Sequence, residues 1–241
     1  MELYSLDDFV IEMESFLTSR PAMSDIFAEG RMYLQKLLAN PSILDNILTR
    51  LVLDDTFLQS QYQAIDPNDI IIYRSPSRSF SLRAYIWEPR VRYPIHDHGS
   101  WGIVGAYLNP VRERKYVRLE DSNDAGKVKV EVQSDSILLP GQITTVRPVN
   151  DGIHQMENPG DKVAVSVHVY GQAVRKGYIQ YYDPHFCSVR RVYPPAAYTR
   201  ALAIRTLGSI SQPWSEEVLR QGLLGGLPEY MKDECHEALQ K

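Results

Sequence analysis

The sequence predicts a mainly β protein, a barrel or sandwich of short strands that is preceded and followed by helices. Three observations predict it. Apolar residues recur at helical spacing from residue 1 to about 62. From about 69 to 193 the chain changes to short strand-like runs separated by turn residues, and helical patterns return over residues 194–241. Many short strands at this spacing are typical of a sandwich or barrel, because such folds leave few strand edges exposed.

The N-terminal part, residues 1–62, predicts three helices that form a layer on the sheet. Ser5 followed by Asp8 has the pattern of a capping box and predicts the first helix start. The second helix is expected near Ser24, and the third after Asn40-Pro41, where a capping residue precedes proline. The apolar positions give each helix one stripe, as expected of helices that cover a core: Phe9, Met13, Phe16 and Leu17; Ile26, Phe27, Leu34, Leu37 and Leu38; Ile43, Ile47, Leu51 and Leu53.

The central part, residues 69–193, predicts ten strands. Turn residues separate them, for example Ser75-Pro76-Ser77 and Asn158-Pro159-Gly160, and a loop is expected at residues 120–124. The strands are expected at residues 69–73, 81–87, 102–107, 115–119, 127–133, 143–146, 153–157, 163–170, 178–182 and 189–193.

The C-terminal part, residues 194–241, begins at Pro194-Pro195 and predicts a helical extension. Its helices are expected at residues 196–207, 214–223 and 228–239, with Gly208 ending the first and Pro213 preceding the second.

Composition limits the classes of function. With 23% charged residues, 44% hydrophobic residues and a net charge of −4, the chain of 241 residues resembles an ordinary globular protein. It has no Lys/Arg-rich run for nucleic acid or membranes and no apolar stretch long enough to cross a bilayer, and its first eight residues lack the basic region typical of a signal peptide. Cys187 and Cys235 are too few for a disulfide framework. We therefore expect a cytoplasmic enzyme without nucleic-acid or membrane partners, and its oligomeric state is left open.

His96-Asp97-His98 is the most informative motif. Residues two apart share a face of a strand, so both imidazoles could reach one metal ion while the aspartate points away. A third histidine, His154, follows 56 residues after His98, and only a rolled sheet would bring it to the pair. An immunoglobulin-like sandwich, the alternative fold, would scatter the three over separate sheets. His185 and His236 lack such a setting, and we interpret them as structural.

Ser166, His168 and Tyr170 alternate with valines, which predicts a polar barrel interior against a packed exterior. Such a trio can hold a phenol proton ready to move, or it can be a hydrogen-bond chain without a chemical role.

Arg83 shares a strand face with Tyr85 and Trp87. Because a guanidinium binds a carboxylate through two parallel hydrogen bonds, Arg83 is the first candidate to hold a substrate carboxylate, and Arg175 and Lys176 are alternatives.

Three separated motifs, taken in order, resemble the thiol dioxygenase branch of the cupin superfamily, whose members include cysteine dioxygenase and mercaptopropionate dioxygenase. The motifs are residues 94–98 with Trp101-Gly102, residues 153–158 and residues 166–171, and the resemblance covers about residues 69–193. It implies a cupin double-stranded β-helix, a jelly-roll barrel, with one iron(II) per chain bound by His96, His98 and His154.

The resemblance also implies roles for the residues around the metal. It places the Tyr170 hydroxyl near the metal-bound substrate or oxygen, with His168 orienting the tyrosine and Ser166 fixing the histidine. We expect Tyr85 and Trp101 to line the pocket with Tyr170.

Some positions depart from related families. Cupins in general have a glutamate ligand four or five residues after the second histidine, where this chain has Gly102 and Ile103, and the thiol dioxygenases also lack it. Ile103 replaces the cysteine that cross-links to tyrosine in cysteine dioxygenase, so no such cross-link is expected. The family's upstream arginine or glutamine has no match, because Asp69 and Ile70 occupy that neighbourhood.

The expected reaction is oxidation of a small thiol, cysteine or a mercapto acid, by both atoms of O2 to a sulfinate. Three neutral imidazoles leave coordination positions open, and a metal without a carboxylate ligand keeps its charge and favours an incoming thiolate. The same ligands could hold zinc, nickel or manganese. The alternatives are a non-oxidative metal-dependent cupin enzyme, such as an isomerase or hydrolase, and a cupin that binds a small molecule without turnover.

Overall fold

The computed structural model describes residues 3–62, 64–119 and 128–240. The chain forms two compact units, one of Met1–Arg175 with Ile179–Arg191 and the other of Lys176–Tyr178 with Val192–Lys241. The loop predicted at residues 120–124, and the start of the strand predicted at 127–133, lie outside the described residues.

The first unit begins with four helices: α1 (Leu6–Thr18), α2 (Met23–Leu38), α3 (Asp45–Leu53) and α4 (Asp55–Ser60). The capping box that the sequence predicts at the start of α1 is confirmed. The Asp8 amide donates to Ser5 Oγ over 3.1 Å, and the Ser5 amide donates to the Asp8 carboxylate over 2.8 Å. Two of the free amides at the helix start are thereby satisfied.

The third helix starts later than predicted, and the last residue of its predicted apolar stripe is not buried. Asn40 Oδ1 accepts a hydrogen bond from the Ser42 amide over 2.9 Å, and this local turn delays the start of α3 to Asp45. At the other end Leu53 is 78% exposed rather than buried. Asp54 then caps a separate helix, α4, by accepting from the Phe57 amide over 2.9 Å.

Eleven strands occur within the described residues, and they form two sheets. The first sheet has the order β1-β2-β9-β4-β7 and the second has the order β11-β10-β3-β8-β5-β6. The strands are β1 (Asp69–Arg74), β2 (Phe80–Trp87), β3 (Ile95–His96), β4 (Gly102–Leu108), β5 (Val111–Leu119), β6 (Lys129–Leu138), β7 (Ile143–Val146), β8 (His154–Glu157), β9 (Ala164–Gly171), β10 (Ile179–Asp183) and β11 (Ser188–Val192).

The strand order is that of a jelly roll. Eight strands divide into the sheets β2-β9-β4-β7 and β3-β8-β5-β6, whose neighbours pair antiparallel, and the chain crosses between the sheets as it proceeds. This arrangement closes most strand edges, and it confirms the predicted double-stranded β-helix. β3 has only two residues and was not predicted, because a run of two carries no alternation to read.

The N-terminal helices cover the outer face of the first sheet. Their buried residues form one apolar cluster with Leu82 and Ala84 of β2 and the three valines of β9. Gly30 allows the close approach of α2, since a Cβ there would lie 2.4 Å from the Ile103 side chain. The valine face of β9 is therefore the packed exterior, and its other face is turned into the barrel.

The second unit contains α5 (Pro195–Gly208), α6 (Pro213–Leu224) and α7 (Glu229–Leu239). Its apolar core encloses a buried carboxylate, that of Glu234, which accepts hydrogen bonds from Tyr193 and Arg205. No helix in the described part of the chain is long and apolar enough to cross a membrane.

Asn158 holds the loop between β8 and β9, and its replacement should destabilise the barrel. Its Nδ2 lies 2.8–3.1 Å from three backbone carbonyls, and its Oδ1 accepts from the Gly160 amide. Asn158→Ala leaves these buried groups unsatisfied, so we expect the free energy of unfolding in urea to fall by about 2–4 kcal/mol. Asn46→Ala, at an exposed position of α3, is the control and should change it by less than about 0.5 kcal/mol. Equal effects of the two substitutions would contradict this role.

Candidate metal centre

His96, His98 and His154 come together inside the barrel. One ring nitrogen of each lies within 4.8 Å of the others, and all three side chains are buried. His98 Nε2 and His154 Nε2 are 2.8 Å apart. His96 of β3 and His154 of β8 are directly paired residues of neighbouring strands. The immunoglobulin-like alternative, which would separate these histidines, is thereby excluded.

Hydrogen bonds fix which nitrogen of two histidines faces the shared space. His96 Nδ1 lies 3.0 Å from the Pro94 carbonyl, which can only accept, so this nitrogen carries the hydrogen. His154 Nδ1 lies 2.8 Å from Glu113 Oε1. In both rings the Nε2 atom is left to bind a ligand, which is how metal-binding histidines are usually oriented.

Glu113 was not predicted as a site residue. Its side chain is 1% exposed, on β5, beside Lys115, which pairs with His154 in the sheet. Burial raises the pKa of the Glu113 carboxyl, but the hydrogen bond and charge of His154, together with Lys115 and Thr144, outweigh burial and the pKa ends below its usual value. A carboxylate here makes the imidazole a stronger metal ligand.

Burial keeps the imidazoles of His96 and His98 neutral. Loss of water lowers the pKa of both well below the usual value, and the neighbouring histidines lower it further. The neutral imidazole is the form that binds metal ions, so these two ligands do not have to lose a proton first.

The donor set fits a divalent transition metal. When two nitrogens are each about 2.1 Å from one metal ion and the two metal–nitrogen bonds form a right angle, the nitrogens lie about 3 Å apart. The observed distance between His98 Nε2 and His154 Nε2 is 2.8 Å. The group consists of three histidines without a carboxylate. Three ligands leave open positions on an ion that prefers more, as in non-haem iron sites, and the same donors suit zinc, nickel or manganese.

Asp97, between two of the histidines, points away from the third and is fully buried. Its carboxylate accepts two hydrogen bonds from the Arg175 guanidinium, one of them over 2.7 Å, and one from the Gln180 amide over 2.8 Å. Arg175, an alternative candidate for a substrate anchor, is thus committed to a structural ion pair. Lys176, the other alternative, belongs to the second unit.

The three polar residues of β9 form a hydrogen-bond chain beside the histidines. Ser166 Oγ lies 2.7 Å from His168 Nε2, and His168 Nδ1 lies 2.8 Å from the Tyr170 hydroxyl. The Tyr170 ring is 4.9 Å from that of His98. An unpredicted fourth member, Trp87, donates from Nε1 to Ser166 Oγ over 2.8 Å. Ser166, His168 and Tyr170 therefore share one face of β9 as predicted, and their role in catalysis stays a prediction.

Arg83 and Tyr85 lie on the interior face of β2. The Tyr85 ring is 4.4 Å from His168. The Arg83 guanidinium donates to the Asp69 carboxylate from Nη1, and its side chain is 21% exposed. Asp69 is opposite Tyr85 in the pairing of β1 with β2 and therefore shares this face. Burial lowers the pKa of Arg83, but the charge and hydrogen bond of Asp69, with smaller contributions from Tyr85 and Tyr170, together raise it above its usual value, so the guanidinium stays charged.

Trp101 is not brought to the histidines. Its indole lies in the apolar cluster between the helices and the sheet, against Gly171, where a Cβ would be 2.0 Å from the ring. The placement does not support the expectation that Trp101 lines the pocket. Gly102, the next residue, faces the interior instead, and a Cβ there would lie 3.1 Å from the Tyr170 ring.

A second unpredicted group lies beside His96. The Tyr93 hydroxyl donates to the Asp66 carboxylate and is 2.5 Å from the Tyr181 hydroxyl. The Tyr93 ring is 4.9 Å from that of His96. Asp66 stands in the segment before β1, where no sequence pattern distinguishes it from a loop residue.

No protein-family model matches this chain. Solved structures similar to it include an oxalate oxidase in complex with the substrate analogue glycolate, at 17% identity over 42% of this chain and 45% of that one, with a TM-score of 0.32. The cupin domain of Cnp3 from Schizosaccharomyces pombe is 7% identical over 43% of this chain and 59% of that one, with a TM-score of 0.33. The DMSP lyase DddQ from Ruegeria pomeroyi DSS-3 is 11% identical over 41% of each chain, with a TM-score of 0.30. The chain spans less than two thirds of the length of each. At these identities the likeness concerns the fold, which the strand order already establishes.

Removing a histidine of the group should abolish metal binding, and removing the Glu113 charge should weaken it. We expect His154→Ala to lose stoichiometric binding of iron(II), and Glu113→Gln to bind about 10- to 100-fold more weakly, because the carboxylate orients His154 and strengthens it as a ligand. Anaerobic titration with a competing chelator measures both. His185→Ala, an exposed histidine of the same unit, should bind as the parent does. Full metal occupancy in His154→Ala would refute the ligand set.

Proposed function

We propose that this protein is an iron-dependent thiol dioxygenase that oxidises a small thiol with O2 to a sulfinate. One observation carries the proposal: among the described residues, three buried histidines form a group without a carboxylate, the Tyr170 ring lies 4.9 Å from that of His98, and the Tyr170 hydroxyl is held by a hydrogen-bond chain from the same strand. The metal would be held by His96, His98 and His154. When bound, iron(II) supplies open positions for the thiol sulfur and for O2 and accepts the redox change.

The charges around the site support an anionic sulfur ligand. The three imidazoles add no negative charge, and the Asp97 and Asp69 carboxylates are paired with Arg175 and Arg83. A divalent ion here keeps most of its positive charge, which favours the deprotonated form of a thiol.

Tyr170 is suited to donate a hydrogen bond to a ligand beside the histidines. Burial raises the pKa of its phenol, and the nearby Asp69 charge raises it further, so the hydroxyl keeps its proton at neutral pH. His168 holds that oxygen in place over 2.8 Å. A neutral phenol fixed at the edge of the site can direct a proton toward an oxygen or sulfur atom without itself becoming charged.

Arg83 is the residue we assign to the other end of the substrate. Asp69 occupies one amino group of its guanidinium, and the part of the chain that the structure describes provides no hydrogen-bond partner for its Nη2. That group could bind a carboxylate of cysteine or of a mercapto acid.

The first test is O2 uptake by the iron-loaded protein with cysteine, cysteamine and 3-mercaptopropionate. We expect uptake with at least one of them, one O2 per thiol, and a sulfinate that contains two ¹⁸O atoms when ¹⁸O2 is supplied. Iron-treated His154→Ala is the control and should show no uptake. Lack of uptake with every thiol would favour the non-oxidative metal enzyme or the binding protein instead.

Tyr170→Phe separates catalysis from metal binding. The change removes one hydroxyl and keeps the ring, so we expect turnover to fall by roughly 10²- to 10⁴-fold with unchanged iron content. His168→Asn should act in the same direction, and the double variant should lose little more, because residues that act as one unit are not additive. Parent-like turnover in Tyr170→Phe would reduce the chain to a structural role.

Replacing Arg83 should affect only thiols that carry a carboxylate. Loss of a charge-assisted hydrogen bond costs about 1.5–3 kcal/mol, so Arg83→Met should raise KM for such a thiol roughly 10- to 100-fold. Because Asp69 would then be left buried without its partner, the variant is best combined with Asp69→Asn. Cysteamine, which has no carboxylate, is the matched substrate, and an equal rise in its KM would count against the assignment.

A further inference from the structure

Trp87 begins the hydrogen-bond chain that ends at Tyr170. Its indole Nε1 lies 2.8 Å from Ser166 Oγ, and both side chains are buried. An indole nitrogen carries a hydrogen and has no lone pair to offer, so this contact has one possible direction. Ser166 accepts from Trp87.

This direction determines where the Ser166 hydrogen points. Ser166 Oγ also lies 2.7 Å from His168 Nε2. If that nitrogen carried the hydrogen, Ser166 would accept twice, and its own hydrogen would have no acceptor among the hydrogen bonds of the described residues. A buried hydroxyl without an acceptor costs about 1–3 kcal/mol. Ser166 therefore donates to a bare Nε2.

The protonation of His168 determines the direction of its hydrogen bond with Tyr170. Burial lowers the pKa of His168 well below its usual value, so the ring is neutral and carries one hydrogen. With Nε2 bare, the hydrogen is on Nδ1, which lies 2.8 Å from the Tyr170 oxygen. Tyr170 thus accepts from His168, and neither His168 nor Ser166 uses its hydrogen; the Tyr85 hydroxyl is the other neighbour of this oxygen.

We propose that Trp87 is a positioning residue whose indole N–H sets the direction of the chain through Ser166 and His168, so that Tyr170 can donate to a ligand at the histidine group. Its effect on turnover rests on the proposed function, but the direction of the chain does not. Without the indole N–H, Ser166 can rotate and accept from His168. His168 then takes the Nε2–H form, and its bare Nδ1 accepts a hydrogen bond from the Tyr170 hydroxyl. That hydroxyl can then no longer donate to a ligand at the histidine group.

The tautomer of His168 tests this directly. In ¹⁵N-histidine-labelled, metal-free protein at neutral pH, the two ring nitrogens have different shifts when protonated and when bare, and His168→Asn identifies the signals. We expect Nδ1–H in the parent and a population of Nε2–H in Trp87→Phe, which keeps an aromatic ring in the buried position. An Nε2–H form in the parent overturns the inference even if the variant does not fold, and so does an unchanged Nδ1–H form in a folded Trp87→Phe.

Turnover provides the second measurement. A histidine in the wrong tautomer can lower the kcat of a reaction that depends on its proton transfer by up to about 10⁴-fold. We therefore expect Trp87→Phe to lower the kcat of thiol oxidation by roughly 10²-fold or more. KM and iron content should change little. Trp214→Phe, at a tryptophan that is 56% exposed in the second unit, is the matched control and should behave as the parent does. A rise in KM with unchanged kcat would overturn the positioning role.

The two hypotheses fail in different ways. A tautomer change in Trp87→Phe without O2 uptake by the parent would refute the thiol dioxygenase proposal and support the direction of the chain. Uptake by the parent with the same tautomer in both proteins would support the enzyme and refute the role of Trp87.

Discussion

The geometry of the histidine group depends on an ion pair that does not touch it. Asp97 is fully buried and receives hydrogen bonds from both amino groups of Arg175 and from the Gln180 amide. A buried carboxylate without such partners would cost several kcal/mol, so the aspartate is held on its side of the backbone. His96 and His98, on either side of this aspartate, lie with His154 in one group instead.

Apolar residues pack on both sides of the first sheet. Inside the barrel, Trp87, Val104 and Met156 belong to one buried apolar cluster, and the N-terminal helices build another on the outer face. The valines of β9 pack outward against these helices with Leu82 and Ala84, in a cluster that includes Phe9, Met13 and Leu34. The opposite face of the same strand is free to carry Ser166, His168 and Tyr170. Period-two alternation thus divides one strand between stability and the site, and each half requires the other.

Much of this could be predicted from the sequence, because alternation and histidine spacing are local patterns. The three histidines and the shared face of β9 belong to this part, whereas the strand pattern left a sandwich or barrel open and the jelly roll was predicted from the family resemblance. Glu113 could not be found, since Arg112-Glu113-Arg114-Lys115 has the composition of a solvated charged strand, and only tertiary structure shows which charge is buried. Trp101 was expected to line the pocket, but its indole lies in the apolar cluster between the helices and the sheet. The early start predicted for α3 overlooked the turn at Asn40.

In the proposed function, reaction type and substrate identity depend on different residues. Three histidine ligands would leave a bound metal its positive charge, and the proposed direction of the Trp87-to-Tyr170 chain would provide a hydrogen-bond donor, whatever the rest of the substrate is. The part of a thiol distant from sulfur would meet Arg83, whose guanidinium also donates to Asp69. Because Asp69 holds one amino group of this guanidinium, only part of it is open to a substrate carboxylate. The histidine group would thus carry the chemistry, while the arginine–aspartate pair would decide which thiol fits.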